Sequence, residues 1–226
     1  MTVRVCVAVP PKTVEEAFCL IKHAEAQDAD LIEIRLDSLK NHDRIPEITR
    51  YTKTPLIATN KSQKNLGNFS GNETERQKIL LNAAKSGFTY VDVDLGTPNQ
   101  EKLIRSLREA GAKVIISFHD FERTPSLSQL EKVVDEEVAL GADVCKIITT
   151  AKSVEDNSTV IDLVSKVFKK CKIVCFAMGD LGVPSRFLSP IFGAFFTFAS
   201  IGEKRKTAKG QLTIQEMKKA YQLMGQ

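Results

Sequence analysis

The chain has 226 residues, 42% of them hydrophobic and 27% charged, with a formal charge of +4. That length can bury a sizeable core in one large domain, and no apolar run approaches the roughly 18 residues needed to cross a bilayer. The small basic surplus comes without a basic stripe interleaved with aromatics, which argues against a nucleic-acid partner.

Short β-branched runs alternate with longer segments of helical period along the whole length. The N-terminus, Met1-Thr2-Val3-Arg4-Val5, enters a strand at once without the regions of a signal peptide, so a cytoplasmic setting is expected. The first strand is predicted at 5–9, and Thr13-Val14-Glu15-Glu16 caps a helix whose Phe18, Ile21 and Ala24 share a face. Strands follow at 31–36 and 55–59, then a helix over 75–86 with Ile79, Leu80 and Ala83 on one side. A strand at 90–95 leads to a helix over 98–110 carrying Leu103, Ile104 and Leu107. The strand at 113–118 precedes a helix over 130–140 that stops at Gly141, a residue suited to a helix C-terminus. Beyond it come a strand at 144–149, a stripe of Val160, Leu163, Val164 and Val167, and strands at 173–178 and 195–200. Thr213-Ile214-Gln215-Glu216 caps the last helix.

Eight such units in 226 residues predict a single α/β domain over 1–226, a (β/α)8 TIM barrel. A doubly wound open sheet is the alternative, but no strand here runs into a Gly-x-Gly-x-x-Gly turn. Parity sorts the side chains. In Ile32-Glu33-Ile34-Arg35-Leu36-Asp37 the charged residues share one face, and Asp92 and Asp94 alternate with Val91, Val93 and Leu95. His119 shares parity with Ser117. In a barrel, polar inward residues at the C-terminal strand ends mark the active-site mouth.

Within this frame Lys146 stands out, in Val144-Cys145-Lys146-Ile147-Ile148. An ammonium buried among aliphatics is costly, so this lysine is paired with an anion, deprotonated for use, or snorkelling from an edge strand. A desolvated lysine is the usual nucleophile for Schiff-base chemistry on a carbonyl, and His119 on the preceding strand supplies a proton carrier. The five cysteines lack zinc-site spacing and read as reduced residues. Three histidines without paired spacing predict no metal site, with His23 and His42 on the surface. The cluster Lys204-Arg205-Lys206 with Lys209 is either a solvated loop or a lid that draws in an anion.

Glu33-Ile34-Arg35-Leu36-Asp37, Phe118-His119-Asp120, Lys146, Val183-Pro184-Ser185-Arg186 and Gly210-Gln211, in this order, resemble type I 3-dehydroquinate dehydratase of the shikimate pathway. The resemblance spans the chain. It implies an imine between Lys146 and the C3 ketone of 3-dehydroquinate, with His119 as general acid and base for syn elimination of water. It also implies that Arg186 binds the carboxylate. Glu33, Ile34 and Arg35 would line the ring hydroxyls, with a structural ion pair of Glu33 and Arg35 as the lesser alternative. Lys61, Thr207 and Gln211 would complete substrate binding, Asp92 would orient His119, and Met178 and Phe198 would form apolar walls. No cofactor is implied, and the expected assembly is a homodimer.

Two departures from the family pattern stand out. Where Thr-x-Arg and then Glu-Gly-Gly are usual, the chain has Thr59-Asn60-Lys61 and Asn65-Leu66-Gly67, and Ala8 replaces a common hydroxyl residue. Asp94 is expected to be structural. The rival enzyme is a class I aldolase acting on a non-phosphorylated keto acid, since the glycine-rich phosphate cradle of sugar-phosphate aldolases is missing. A silent barrel that binds carboxylates or protein partners is the reading outside enzymes.

Overall fold

The computed structural model describes residues 3–203, 208 and 210–225. The β-branched runs form β1 (Val5–Val9), β2 (Leu31–Arg35), β3 (Leu56–Thr59), β4 (Tyr90–Asp94), β5 (Lys113–His119), β6 (Val144–Thr150), β7 (Ile173–Met178) and β8 (Thr197–Ser200). Each is followed by one helix: α1 (Val14–Glu25), α2 (Ile45–Tyr51), α3 (Glu73–Lys85), α4 (Gln100–Glu109), α5 (Leu127–Ala139), α6 (Asp156–Val167), α7 (Val183–Leu188) and α8 (Ile214–Leu223). The strands lie parallel in the order β7-β6-β5-β4-β3-β2-β1-β8. Phe195 N–H, at the entry to β8, donates to Ile173 O at the start of β7 (2.7 Å), so the two ends of that order meet. This is the (β/α)8 fold. Among the described residues no helix is long and apolar enough to cross a membrane.

Two helices, α2 and α7, were not legible as periodic stripes. They have seven and six residues, each with proline at its start, too few turns to repeat an apolar face. The helix α5 begins three residues before its predicted start, where Ser126 N–H donates to Gln129 Oε1 (3.1 Å). Both β5 and β6 run one residue beyond their predicted ends, which brings His119 into the strand.

The chain divides into two compact units, residues 7–115 and residues 1–6 with 116–226. In the first, α1 buries Ala17, Leu20, Ile21 and Ala24, α3 buries Leu80, Ala83 and Ala84, and α4 buries Leu103, Ile104 and Leu107. In the second, Leu130 and Val134 of α5 and Val160, Leu163 and Val164 of α6 pack on Cys145, Ile147, Ile173, Cys175 and Ala177. Each large aliphatic so buried contributes about 1.5–3 kcal/mol. Because odd-numbered residues of β6 and β7 face these helices, Lys146, Ile148, Val174, Phe176 and Met178 fall on the opposite sheet face.

A helix as short as α7 has little stability of its own, so tertiary bonds hold it in place. Ser185 Oγ accepts from Ala177 N–H (2.9 Å) and donates to Gly182 O (2.8 Å). Ser185 N–H donates to Asn157 Oδ1 (2.9 Å), and Asn157 Nδ2 donates to Val154 O and Leu181 O (2.9 and 2.7 Å). Thr197 Oγ1 donates to Arg186 O (2.7 Å), and Tyr221 OH donates to Phe187 O (2.6 Å). The approach of this turn to β7 needs Gly182: a Cβ there would lie 2.4 Å from Ala177 O. Gly182→Ala is therefore expected to destabilise the fold by about 1–3 kcal/mol, read as a lower urea midpoint at unchanged m-value.

Candidate active site

In the unit of residues 116–226, β5 and β6 carry the two reactive side chains. Asp120 N–H donates to Ile148 O (2.9 Å), and Thr150 Oγ1 donates to Asp120 O (2.9 Å). In a parallel ladder that rung sets Asp120 level with Thr149, so Ser117 is level with Lys146 and His119 lies one pleat further along the same face. The turn after His119 is fixed by its own aspartate, since Asp120 Oδ1 accepts from the N–H groups of Glu122 and Arg123 (2.9 and 2.8 Å). The His119 ring is half-buried and stacks on Phe121, centroids 5.6 Å apart.

Lys146 is 5% exposed, with Nζ 4.7 Å from the centre of the Phe198 ring. Phe198 meets Phe176 edge to face at 6.2 Å. The Phe176 ring in turn carries the guanidinium of Arg186, 4.0 Å from its centroid. Arg186 is 2% exposed, and its Nε and Nη2 have no hydrogen-bond partner among the described residues. Burial pulls this guanidinium down to about 9, which leaves it cationic at neutral pH. A buried cation with donors to spare and an aromatic support is prepared for a planar anion, and a carboxylate fits its fork. Gln211, expected to complete substrate binding, is buried and precedes Leu212, whose carbonyl accepts from Ser200 N–H at the end of β8 (2.9 Å). Met178 ends β7 and is half-buried on the same face as Lys146. Thr207 and the cluster of Lys204, Arg205, Lys206 and Lys209 lie outside the described residues.

In the unit of residues 7–115 the cations have carboxylate partners. The register sets Arg35 beside Thr59 and Thr59 beside Asp92. Thr59 Oγ1 donates to Glu33 Oε1 (2.9 Å). Arg35 grips Asp37 with Nε and Nη2 (2.8 and 2.7 Å), and the Glu33 charge also favours its cationic form. Burial pushes the Asp37 carboxyl up, but the Arg35 fork and the N–H groups of Asn68 and Lys61 hold it below its ordinary value. For Arg35, burial opposes the charge and Asp37 more than offsets it. Ile34, fully buried, turns its side chain to the face opposite Glu33 and Arg35.

Lys61 Nζ lies 2.6 Å from Asp92 Oδ1 and also bonds Asp94 Oδ1. Lys61 is thus one partner of Asp92, the residue expected to orient His119. Asp94 is structural as expected, shared between Lys61 and Arg76 Nη1 (3.4 Å). Arg76 escaped the sequence reading. It is buried, donates to Asn60 O (2.8 Å) and Thr97 Oγ1 (3.2 Å), and forks onto Glu73 (2.8 and 2.9 Å). Its signal was available, because Arg76 stands at i−4 from Leu80 in the apolar stripe of α3. Glu137 was missed in the same way, the third position of the buried face of α5 after Leu130 and Val134. His42, expected at the surface, is half-buried with Nε2 on Leu36 O (2.9 Å). Among the described residues no three His, Cys, Asp or Glu side chains group as metal ligands.

The family model for type I 3-dehydroquinase matches residues 5–226. The chain belongs to the type I 3-dehydroquinase family. A 3-dehydroquinate dehydratase of Dehalococcoides mccartyi is 38% identical over 197 residues, 87% of each chain. One of Methanococcus maripaludis is 33% identical over 98% of this chain and 100% of its own. Among solved structures, the type I 3-dehydroquinate dehydratase of Clostridium difficile, solved with covalently modified comenic acid, superposes at a TM-score of 0.89 with 25% identity, over 98% of this chain and 92% of that one. An aldolase, QR15, matches at 0.60 and 11% identity, a likeness of fold alone. The type I 3-dehydroquinase assignment makes the chain a hydro-lyase, and the aldolase reading gains no better support.

The lone buried guanidinium gives a direct test. Arg186→Met, which keeps bulk and removes the charge, is expected to raise the stability of the free protein by roughly 1 kcal/mol or more. The same variant should lose the upward Tm shift that a small cyclic carboxylate gives the parent chain. A variant less stable than the parent would show that the cation is compensated.

Proposed function

We propose that the dehydration of 3-dehydroquinate proceeds on this chain through an imine at Lys146, with His119 as the proton carrier and Arg186 as the carboxylate anchor. The observation that carries the reading is the placement of Lys146 and His119 on one sheet face, level to within one pleat, in the unit that also holds the partnerless donors of Arg186.

Lys146 Nζ adds to the C3 carbonyl carbon, and the carbinolamine expels water to leave a protonated imine. That cation draws electrons from the adjacent C2–H bond as His119 takes the proton, giving an enamine. Collapse of the enamine pushes out the C1 hydroxyl, which leaves as water with the proton His119 returns. Hydrolysis of the imine then frees 3-dehydroshikimate and the amine. A plain ketone would place charge on oxygen at the same stage, which is why the covalent detour lowers the barrier. An imidazole serves both proton transfers because its ordinary pKa lies near neutrality.

The aromatic walls Phe198 and Phe176 exclude water around the amine, and the family resemblance assigns Gln211 to the substrate ring. The family resemblance assigns Glu33 and Arg35 to the hydroxylated edge of the substrate, and Asp92 and Asp94 hold Lys61. The reading assumes one catalytic domain working as a cytoplasmic homodimer without cofactor, on the strength of the family resemblance.

Borohydride added with 3-dehydroquinate is expected to reduce an adduct onto Lys146, found by peptide mass mapping, and Lys146→Ala should lose both adduct and turnover. An unmodified lysine beside a fully active Lys146→Ala protein would remove the imine. His119→Ala should slow turnover by roughly 10²–10⁴ while still accumulating reducible adduct, followed by absorbance of the conjugated product. Turnover at the parent rate in that variant would dismiss the histidine.

A further inference from the structure

A carboxylate sits in the apolar layer beneath the strand that carries the lysine. Glu137 is 0% exposed, on the face of α5 that also buries Leu130 and Val134. Its Oε2 accepts from the backbone N–H of Lys146 (3.1 Å). We infer that Glu137 is a positioning residue for the imine lysine, holding the Lys146 peptide from the helix side of β6 while the side chain works on the other face. The inference rests on the imine reading and deepens it.

A carboxyl group taken from water into an aliphatic layer is costly to bury, and an apolar residue of similar volume there is commonly neutral or stabilising. Its surroundings are apolar and thiol-bearing. Cys145 and Cys175 both pack in the Leu130–Val134 cluster. Burial pushes the Cys175 thiol up, and the Glu137 charge adds to that push. Cys145 is raised first by its hydrogen bond with Cys171, then by burial and by Glu137. The two thiols are thereby kept protonated and offer the carboxylate no compensating positive charge.

The role of Glu137 is set by the atom its carboxylate touches. The direction of the Cα–Cβ bond of Lys146, and so the start of a four-carbon stem, follows from the tilt of its peptide. The N–H bond of that peptide is held by Glu137 from a well-packed helix, and the amine end is held between Phe198 and the strand face. Reaction at a carbonyl carbon demands approach to within a few tenths of an ångström, and a misplacement of about 1 Å can cost about a hundredfold in rate.

The test compares two variants with the parent chain in the dehydration assay and in borohydride trapping. Glu137→Met removes the acceptor and keeps the volume and the helix propensity. It is expected to lose about tenfold to a hundredfold in kcat and in trapping rate, with KM within about threefold, and to speed hydrogen exchange at the Lys146 amide. Glu137→Gln keeps an acceptor oxygen and should restore kcat to within about threefold of the parent. A methionine variant that turns over like the parent, or a glutamine variant that falls as far as the methionine one, overturns the inference. If the methionine variant does not fold, the glutamine variant decides alone: kcat retained with a protected Lys146 amide supports the hydrogen bond, and kcat lost overturns it. A parent chain that gives no adduct on Lys146 sinks the imine reading itself, whatever the Glu137 variants do.

Discussion

A buried guanidinium with two nitrogens that find no acceptor among the described residues is the constraint on which the turn after β7 depends. Arg186 sits on a six-residue helix that could not persist alone, so Ser185, Asn157, Thr197 and Tyr221 each hold a backbone group beside it. Phe176 lends its ring face, which compensates only part of the lost hydration. The network holds the cation in place and leaves two of its nitrogens without an acceptor. A structure selected for stability alone would place an aliphatic there.

The other unit treats charge differently. Arg35 has Asp37, Lys61 has Asp92 and Asp94, and Arg76 joins Asp94 to Glu73 nearer the surface. These groups compensate one another before any ligand arrives, which suits recognition of neutral hydroxyls: an ion pair can lend a donor or an acceptor without a change of net charge. Replacing the usual arginine after β3 with Lys61 fits this arrangement, because a point-like ammonium between two carboxylates satisfies both, where a planar fork would align with one.

Much of this was legible in the sequence because periodicity and chemistry agreed. The strand parity of Glu33, Arg35, Asp92, Asp94, His119 and Lys146 carried over, since a period of two leaves no freedom in which face a residue takes. Helices of ten or more residues were found near their observed ends, whereas α2 and α7 were too short to show a stripe. Partner choice was not legible. From sequence Asp92 was expected to orient His119, and the rung between Thr59 and Asp92 shows a partner in Lys61 that spacing alone did not reveal. Arg76 and Glu137 share a further lesson, because a charged residue at i, i+4 or i+7 in an apolar stripe is a buried charge with a task. Both were visible as interruptions of a pattern that had been read only for its aliphatics.

The thin anchoring of α7 also has a dynamic consequence. A segment held by a handful of side-chain hydrogen bonds opens more readily than the strands beneath it, and each opening returns the Arg186 guanidinium to water, which favours the open form. An anion seated on that guanidinium removes the gain from opening, so occupancy and local order rise together. On the proposed reading of Arg186 as the carboxylate anchor, ligand and protein share one equilibrium, and order at the turn after β7 is set by occupancy of the guanidinium beside it.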